Sequence, residues 1–150
     1  MLYFIFDNII KIERWYFTLC IFCEIANGNI PSYKIYEDDK CLAFLDISQT
    51  TIGHTLVVPK QHFDDIFSID SDYAKHIFDV VRKLSINIKE KLGIKAVNIL
   101  NNSGELAGQT VKHFHIHIIP RYENDNFDIK FNKNELSKEQ FVELANKIAL

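Results

Sequence analysis

The feature that most constrains this chain is a nine-residue stretch, His113–Arg121, in which histidines and apolar residues alternate. It reads His-Phe-His-Ile-His-Ile-Ile-Pro-Arg. Successive side chains of a strand point to opposite faces, so the alternation predicts three imidazoles on one face and Phe114, Ile116 and Ile118 on the other. Such a pattern is uncommon by chance, and we interpret it as a site rather than as the wet face of an ordinary strand.

The spacing of residues along a strand indicates that His113, His115 and His117 have different roles. A strand rises about 3.3 Å per residue, so neighbouring imidazoles on one face start roughly 6.6 Å apart and the outer pair roughly 13 Å apart. Two neighbours can share one metal ion, whereas the outer pair is too far apart to do so. The three histidines are therefore expected to perform more than one task.

Length and composition predict one globular domain. The chain has 150 residues, of which 47% are hydrophobic and 25% charged, as in an ordinary soluble protein. The formal net charge is −3 and Lys and Arg form no block, so there is no electrostatic case for a general nucleic-acid binder. The apolar, aromatic segment 1–6 is too short and too soon interrupted for a membrane span. We treat 1–19 as an N-terminal extension of unknown role and 20–150 as the domain.

The three cysteines, Cys20, Cys23 and Cys41, indicate a reducing compartment. Their number is odd and two of them form a Cys-x-x-Cys, which does not suit a disulfide framework, so we expect a cytoplasmic protein. A redox-active pair would need a thioredoxin-like βαβ context, which the pattern lacks. Isolated buried thiols are the simplest alternative.

The remaining pattern predicts an α+β fold with an antiparallel sheet of about five strands. Besides the histidine stretch, strands are expected at 34–37, 41–47, 54–59 and 97–100, with a hairpin turn at 37–40. A long helix is expected from the N-cap Asp70 to a stop at Gly93. Shorter helices are expected within 15–26, closing at Gly28, and from a capping box at Ser137 through Ile148.

A polar loop, Asn101–Thr110, runs into the histidine stretch. Gly104 and Gly108 allow its backbone N–H groups to turn inward as an anion cradle, and the side chains of Asn102 and Thr110 add donors. Alone, the loop would be explained as well by a turn. Beside three imidazoles it predicts a phosphate site.

The histidine stretch resembles the His-x-His-x-His-apolar-apolar signature of the histidine triad nucleotide-binding superfamily. Other segments match its Hint-like branch, in the bacterial-type, cysteine-containing form, and stand in the same order. They are Cys20–Ile25, Ile30–Pro31, Tyr36–Asp39, Leu42–Ile47, Gly53–Lys60 and Gly104–Gln109. The resemblance covers about Cys20 to Arg121 and implies a HIT-like fold and a homodimer in which the long helix and a strand meet their symmetry mates.

The activity that the resemblance implies is that of a purine nucleoside phosphoramidase or nucleotidyl hydrolase. Such an enzyme acts at the α-phosphate of adenylyl-amine-type substrates through a covalent nucleotidyl-histidine. Dinucleoside polyphosphate hydrolysis is the alternative reaction, and a nucleotide-binding interaction module with incidental turnover is the alternative outside catalysis. No magnesium ligand set is evident in the sequence.

Residue by residue, the resemblance makes the triad His113, His115 and His117 the catalytic set, with His115 as the nucleophile. His117 would hold the phosphate together with His54, Asn102, Gly108, Gln109 and Thr110. Asp46 matches the ribose-binding carboxylate. The apolar slot around the base would be formed by Ile21, Phe22, Ile25, Phe44 and Ile47, which would otherwise be assigned to the core.

The cysteine-containing members of the family suggest a structural zinc, whose ligands here would be Cys20, Cys23, His62 and His113. Two thiolates and two imidazoles form a standard closed tetrahedral site. A metal-bound His113 could not donate a proton in catalysis. Of the other histidines, His76 on the long helix is expected at the surface.

Two departures from the family pattern bear on selectivity. Thr110 replaces the serine commonly found there, which keeps the hydroxyl and adds a methyl group. The tryptophan found near the C-terminus of animal members is absent, and a helix is expected there instead.

Overall fold

The computed structural model describes residues 20–150, which form three helices and five strands. The helices are α1 (Ile21–Ala26), α2 (Ser71–Leu92) and α3 (Lys138–Ile148), and a short 3-10 helix spans Glu105–Ala107. The strands are β1 (Lys34–Glu37), β2 (Cys41–Leu45), β3 (Thr55–Pro59), β4 (Ala96–Leu100) and β5 (Ile116–Arg121). The extension 1–19, including the first part of the helix expected within 15–26, lies outside the described residues. Within the described part, no helix is both long and apolar enough to cross a membrane.

The five strands form one antiparallel sheet in the order β1-β2-β3-β5-β4. The predicted α+β class and strand number are therefore confirmed. Strand β2 ends at Leu45, two residues earlier than expected, because the chain turns at Asp46. The Asp46 carboxylate accepts the N–H of Ser48 at 2.8 Å, a local bond that favours a turn over continued pairing.

Strand alternation divides the core between the two faces of the sheet. On one face, the buried side of α2 packs on strand residues; the cluster includes Cys41, Ala43, Val57, Ile77, Val80, Val81, Leu84, Ile88, Phe114, Ile116 and Ile118. On the other face, α1 packs on the alternate strand residues; this cluster is Phe22, Ile25, Leu42, Phe44, Leu56 and Val58. The triad histidines lie on the α1 face, since Phe114 and Ile116 between them lie under α2.

The helix boundaries follow the capping signals in the sequence. The side chain of Asp70 accepts the N–H groups of Asp72 and Tyr73, and α2 ends at Gly93, as predicted. Ser137 and Gln140 form the predicted capping box of α3. Helix α1 begins at Ile21, directly after Cys20, and so places both cysteines of the Cys-x-x-Cys on one side of its first turn.

The histidine strand begins later than its alternation indicates. Strand β5 starts at Ile116, so His113 and His115 precede the regular ladder instead of belonging to it. The reason is a change of hydrogen-bond partner: Phe114 donates its N–H to the carbonyl of Phe63 at 2.6 Å rather than to a neighbouring strand. Alternation between the two faces nevertheless continues through these residues.

The side chain of Asp38 ties the β1–β2 turn to α2. One oxygen accepts the N–H groups of Lys40 and Cys41 at 2.8 Å, and the other accepts the Tyr36 hydroxyl and Nε2 of His76 at 2.7 Å. Burial raises the pKa of the Asp38 carboxyl, but these donors outweigh it and hold that pKa well below its ordinary value. His76, expected at the surface, is thus partly covered and bonded.

Replacing Asp38 by alanine is expected to lower the free energy of unfolding by about 2–4 kcal/mol, because four donors lose one acceptor. Urea denaturation would measure the loss. The matched control is Asp39→Ala, which alters the exposed neighbouring carboxylate and should change stability by no more than about 0.5 kcal/mol. Equal losses in the two variants would contradict the role given to Asp38.

Candidate active site and adjoining metal cluster

The rings of His115 and His117 lie closer together on the α1 face than the roughly 6.6 Å that separates such positions along a strand. The ring centroids of His115 and His117 are 4.9 Å apart and the rings meet edge to face. The ring of Phe22 from α1 stands edge-on to His115 at 5.2 Å and to His113 at 5.9 Å. His113 and His115 are buried, and His117 is partly exposed. Helix α1 therefore packs against the imidazoles of His113 and His115 through the ring of Phe22.

The proton on the His115 imidazole is fixed by its environment. Nδ1 lies 2.7 Å from the backbone carbonyl of His113, which can only accept, so Nδ1 carries the hydrogen. Nε2 is thereby left with a lone pair. Burial lowers the pKa of His115 below its ordinary value, so the ring is neutral at pH 7. The arrangement leaves an uncharged imidazole with a defined nucleophilic nitrogen.

His117 pairs with His54 from the start of β3. Nδ1 of His117 lies 2.9 Å from Nε2 of His54, so one proton is shared along this contact. The Asp46 carboxylate is 3.6 Å from Nδ1 of His54. Burial, followed by the neighbouring His115 and His54, lowers the pKa of His117 to about 4. Burial also lowers the pKa of His54. Asp46, His54 and His117 thus form a contiguous polar row beside His115.

In the loop from Asn101 to Thr110, two glycines adopt positive φ values that turn the backbone. Gly104 and Gly108 flank the short 3-10 helix with φ values of 90° and 82°. Residues with a side chain rarely adopt these values, so both glycines are required by the backbone conformation. A Cβ on Gly108 would lie 3.8 Å from the side-chain nitrogen of Asn102, which brings these two predicted phosphate contacts together.

Gln109 is occupied in holding this loop. Its Oε1 accepts the N–H of Gly104 at 2.7 Å, and its Nε2 donates to the carbonyls of Asp64 and Val111 at 2.6 and 2.9 Å. These bonds use both ends of the amide. Thr110 is exposed and lines a cavity of about 420 Å³. The cavity wall also includes Cys20, Ile21, His62, Asp64, Val111 and Lys112.

The five residues expected around a base fall into two groups. Phe22, Ile25 and Phe44 are buried in the core beneath α1, whereas Ile21 is 47% and Ile47 89% exposed. Only the exposed pair is free to cover a flat apolar ligand without rearrangement. The buried three shape the floor on which the histidines rest.

The four residues expected to bind a metal lie together. The ligand atoms of Cys20, Cys23, His62 and His113 are all within 4.8 Å of one another. Nδ1 of His113 is 3.3 Å from Sγ of Cys20 and 3.5 Å from Sγ of Cys23, and Nδ1 of His62 is 3.3 Å from Sγ of Cys23. Ligands around a tetrahedral zinc are roughly 3.3–3.8 Å apart, so the cluster can hold such an ion.

The outer nitrogens of both imidazoles are bonded as in metal sites. Nε2 of His113 is 2.9 Å from the Pro59 carbonyl and Nε2 of His62 is 2.8 Å from the Asp64 carboxylate. Both partners only accept, so each Nδ1 presents a lone pair towards the thiols. Burial lowers the pKa of His113 to about 4, which keeps its ring neutral. Burial and the neighbouring Cys20 raise the pKa of the Cys23 thiol to about 12, a cost that a cation would offset.

Sequence reasoning missed Asn101, whose side chain bonds to the backbone of His115. Its neighbour Asn102 was predicted as a side-chain donor of the polar loop. Asn101 directly follows the last residue of β4 and could have been found as a polar side chain at a strand end facing the histidine stretch. The ring contacts of Phe22 with the triad carry no sequence signal beyond hydrophobicity.

Comparison with known proteins gives a consistent match. The family model for the HIT domain matches residues 27–124. The chain is 45% identical over 133 residues to the Hit protein of Bacillus subtilis, covering 87% of this chain and 92% of that one. It is 35% identical over 131 residues to an adenosine 5'-monophosphoramidase of Schizosaccharomyces pombe, covering 87% and 96%.

Solved structures agree with these matches. A HIT family protein from Bacillus anthracis is 49% identical and superposes with a TM-score of 0.83, covering 87% of this chain and 95% of that one. A zinc-bound histidine triad protein from Mycobacterium smegmatis is 35% identical with a TM-score of 0.71, covering 78% and 85%.

Proposed function

Because the chain belongs to the histidine triad (HIT) family, we propose that it is a purine nucleoside phosphoramidase that cleaves adenylyl-amine-type substrates at the α-phosphate. The observation that carries this proposal is the hydrogen bond from Nδ1 of His115 to the His113 carbonyl, which leaves a neutral imidazole with its Nε2 lone pair available. The S. pombe relative, named as a monophosphoramidase, supports the choice of substrate class.

The reaction proceeds in two displacements at phosphorus. The lone pair on Nε2 of His115 forms an N–P bond while the P–N bond to the leaving amine breaks; the amine keeps that electron pair and takes a proton from solvent. The positive charge on the nucleotidyl-imidazole is stabilised by the His113 carbonyl, which accepts the Nδ1 hydrogen. Water then attacks the phosphorus, the bond to His115 returns its electron pair to Nε2, and the nucleoside monophosphate and a proton leave.

His117 stabilises the phosphate oxygens through its outer nitrogen. When His54 donates through Nε2 to Nδ1 of His117, the His117 proton is on Nε2, where it can donate to an oxygen of the phosphate. The backbone near Gly108 and the side chains of Asn102 and Thr110 supply further donors. Gln109 contributes indirectly, by holding the loop, since both ends of its amide are already bonded.

The nucleoside end of the substrate uses Asp46 and the exposed apolar residues. The Asp46 carboxylate accepts the two ribose hydroxyls, and Ile21 and Ile47 cover the base. Phe22, Ile25 and Phe44 support this surface from the core. This division follows from exposure: a base can displace water from Ile47, at 89% exposed, but cannot reach Phe44, at 4%.

Cys20, Cys23, His62 and His113 would hold a structural zinc ion. Such an ion would cross-link α1, the segment after β3 and the start of the histidine stretch. Because the His113 carbonyl also orients His115, the metal site and the nucleophile share one residue. The zinc-bound M. smegmatis relative supports the choice of metal.

The working form is a homodimer in the cytoplasm. Two features support a dimer: β4 is an edge strand, and Phe78 and Ile86 of α2 are 50% and 44% exposed. Sedimentation velocity would give twice the 17.5 kDa chain mass for a dimer and the chain mass alone for a monomer.

Substrate comparison tests the proposed activity. The purified protein should hydrolyse an adenylyl-amine with a kcat/KM at least about tenfold above that for diadenosine polyphosphates, because its loop and triad provide donors for one α-phosphate. The opposite preference would assign the chain to dinucleoside polyphosphate hydrolysis. Tight AMP binding without turnover of either substrate would favour the interaction module.

A further inference from the structure

We propose that Asn101 is a positioning residue for the nucleophile, holding the backbone of His115 where the strand ladder no longer does so. The proposal rests on the function proposed for His115. It concerns a residue that touches neither the expected substrate nor the metal cluster, and that acts only through another residue.

The regular pairing of β4 with β5 stops just short of the nucleophile. Leu100, the last residue of β4, pairs with His117 of β5. His115 lies two residues beyond this pair, outside both strands. There the side chain of Asn101 takes over from the backbone: its Nδ2 donates to the His115 carbonyl at 2.9 Å. A side-chain amide thus adds one further rung to the ladder at the position of the nucleophile.

The amide of Asn101 is itself held in one orientation. Its Oδ1 accepts the hydroxyl of Ser103 at 2.8 Å, and the Ser103 hydroxyl oxygen accepts the N–H of Ile66 at 3.1 Å. A flipped amide would direct an oxygen at the His115 carbonyl, which can only accept, and would take away the acceptor of the Ser103 hydroxyl hydrogen. Only the observed orientation satisfies both groups. The chain of bonds anchors the nucleophile to the segment between β3 and α2.

Two hydrogen bonds therefore set the position and orientation of the His115 imidazole. The His113 carbonyl fixes the ring through Nδ1, and Asn101 fixes the peptide that carries it. Without the Asn101 bond the His115 carbonyl loses its side-chain donor, and the backbone just before Ile116, where pairing with β3 begins, can shift and carry the ring away from its bond to His113. A displacement of about 1 Å at a reacting group can lower the rate about 100-fold, so the effect belongs on kcat rather than on KM.

The test uses Asn101→Ala and Asn101→Asp in the full-length protein. Aspartate keeps the shape and the acceptor for Ser103 but cannot donate to the His115 carbonyl. We expect kcat for an adenylyl-amine to fall about 10- to 100-fold in both variants, with KM changed less than about threefold. The matched control is Asn98→Ala in β4, three residues before Asn101, which removes an amide bonded to Arg121 and should leave kcat unchanged.

Imidazole ¹⁵N chemical shifts provide a readout that needs no substrate. In the wild type and Asn98→Ala, His115 should show the tautomer with hydrogen on Nδ1; in both Asn101 variants its shifts should move towards a mixture of tautomers. Unchanged His115 shifts in both variants would overturn the positioning role. Because this measurement does not depend on turnover, its failure is distinct from the failure of the proposed phosphoramidase activity.

Discussion

Replacing His115 by alanine is expected to lower the kcat for an adenylyl-amine by about 10⁴-fold or more, because the variant has no atom that can form the N–P bond. Phosphate binding by the remaining residues should persist, so KM should change far less. Steady-state hydrolysis of a fluorogenic adenylyl-amine would measure both constants.

Alanine variants of two other histidines should show smaller losses of kcat. His117→Ala removes a donor to the phosphate but leaves the nucleophile, so a loss of about 10²- to 10³-fold is expected. His76→Ala, on α2 and bonded to Asp38, should leave kcat within about threefold, since it lies outside the site. A His115→Ala variant that keeps a tenth of the wild-type turnover would show that the nucleophile is assigned wrongly.

Replacing Cys23 by alanine is expected to remove the metal and much of the stability of the α1 face. A ligand present at 1,000 times its Kd stabilises a fold by about 4 kcal/mol, so loss of the zinc should lower Tm by roughly 8–16 °C for a domain of this size. Elemental analysis should find about one zinc per wild-type chain and far less in the variant.

The third cysteine provides the matched control. Cys41 is fully buried under α2 and lies outside the Cys20–Cys23 cluster, so Cys41→Ala should lose some packing energy while retaining its zinc. Equal zinc contents in Cys23→Ala and the wild type would remove Cys23 from the ligand set. A wild-type chain that binds no zinc under metal-preserving conditions would overturn the site as a whole.

Local patterns in the sequence were sufficient for most of the fold. The alternation from His113 onward gave the correct face for each residue, and the Asp70 and Gly93 signals gave the ends of α2. These succeed because alternation and capping depend on neighbours in sequence. The start of β5 was placed three residues too early, because the bond from Phe114 to Phe63 depends on a segment about 50 residues away.

The site was predictable to the extent that residue type determines its role. Cys20, Cys23, His62 and His113 lie together, as the family resemblance implied, and two thiols with two imidazoles suit one metal. The roles of Asn101 and Gln109 could not be predicted from residue type. An amide can bond a ligand or a backbone with equal ease, and only three-dimensional contacts show that Gln109 bonds Asp64 and Val111 while Asn101 bonds His115.

The most direct test of the central claim is to trap the covalent intermediate. The protein is mixed with an adenylyl-amine, quenched within milliseconds under alkaline denaturing conditions that preserve phosphorus–nitrogen bonds, and digested for peptide mass spectrometry. We predict an adenylyl group on His115 in the wild type and in His76→Ala, and none in His115→Ala. Adenylylation of another residue, or full turnover with no adduct at any quench time, would contradict the mechanism proposed for this site.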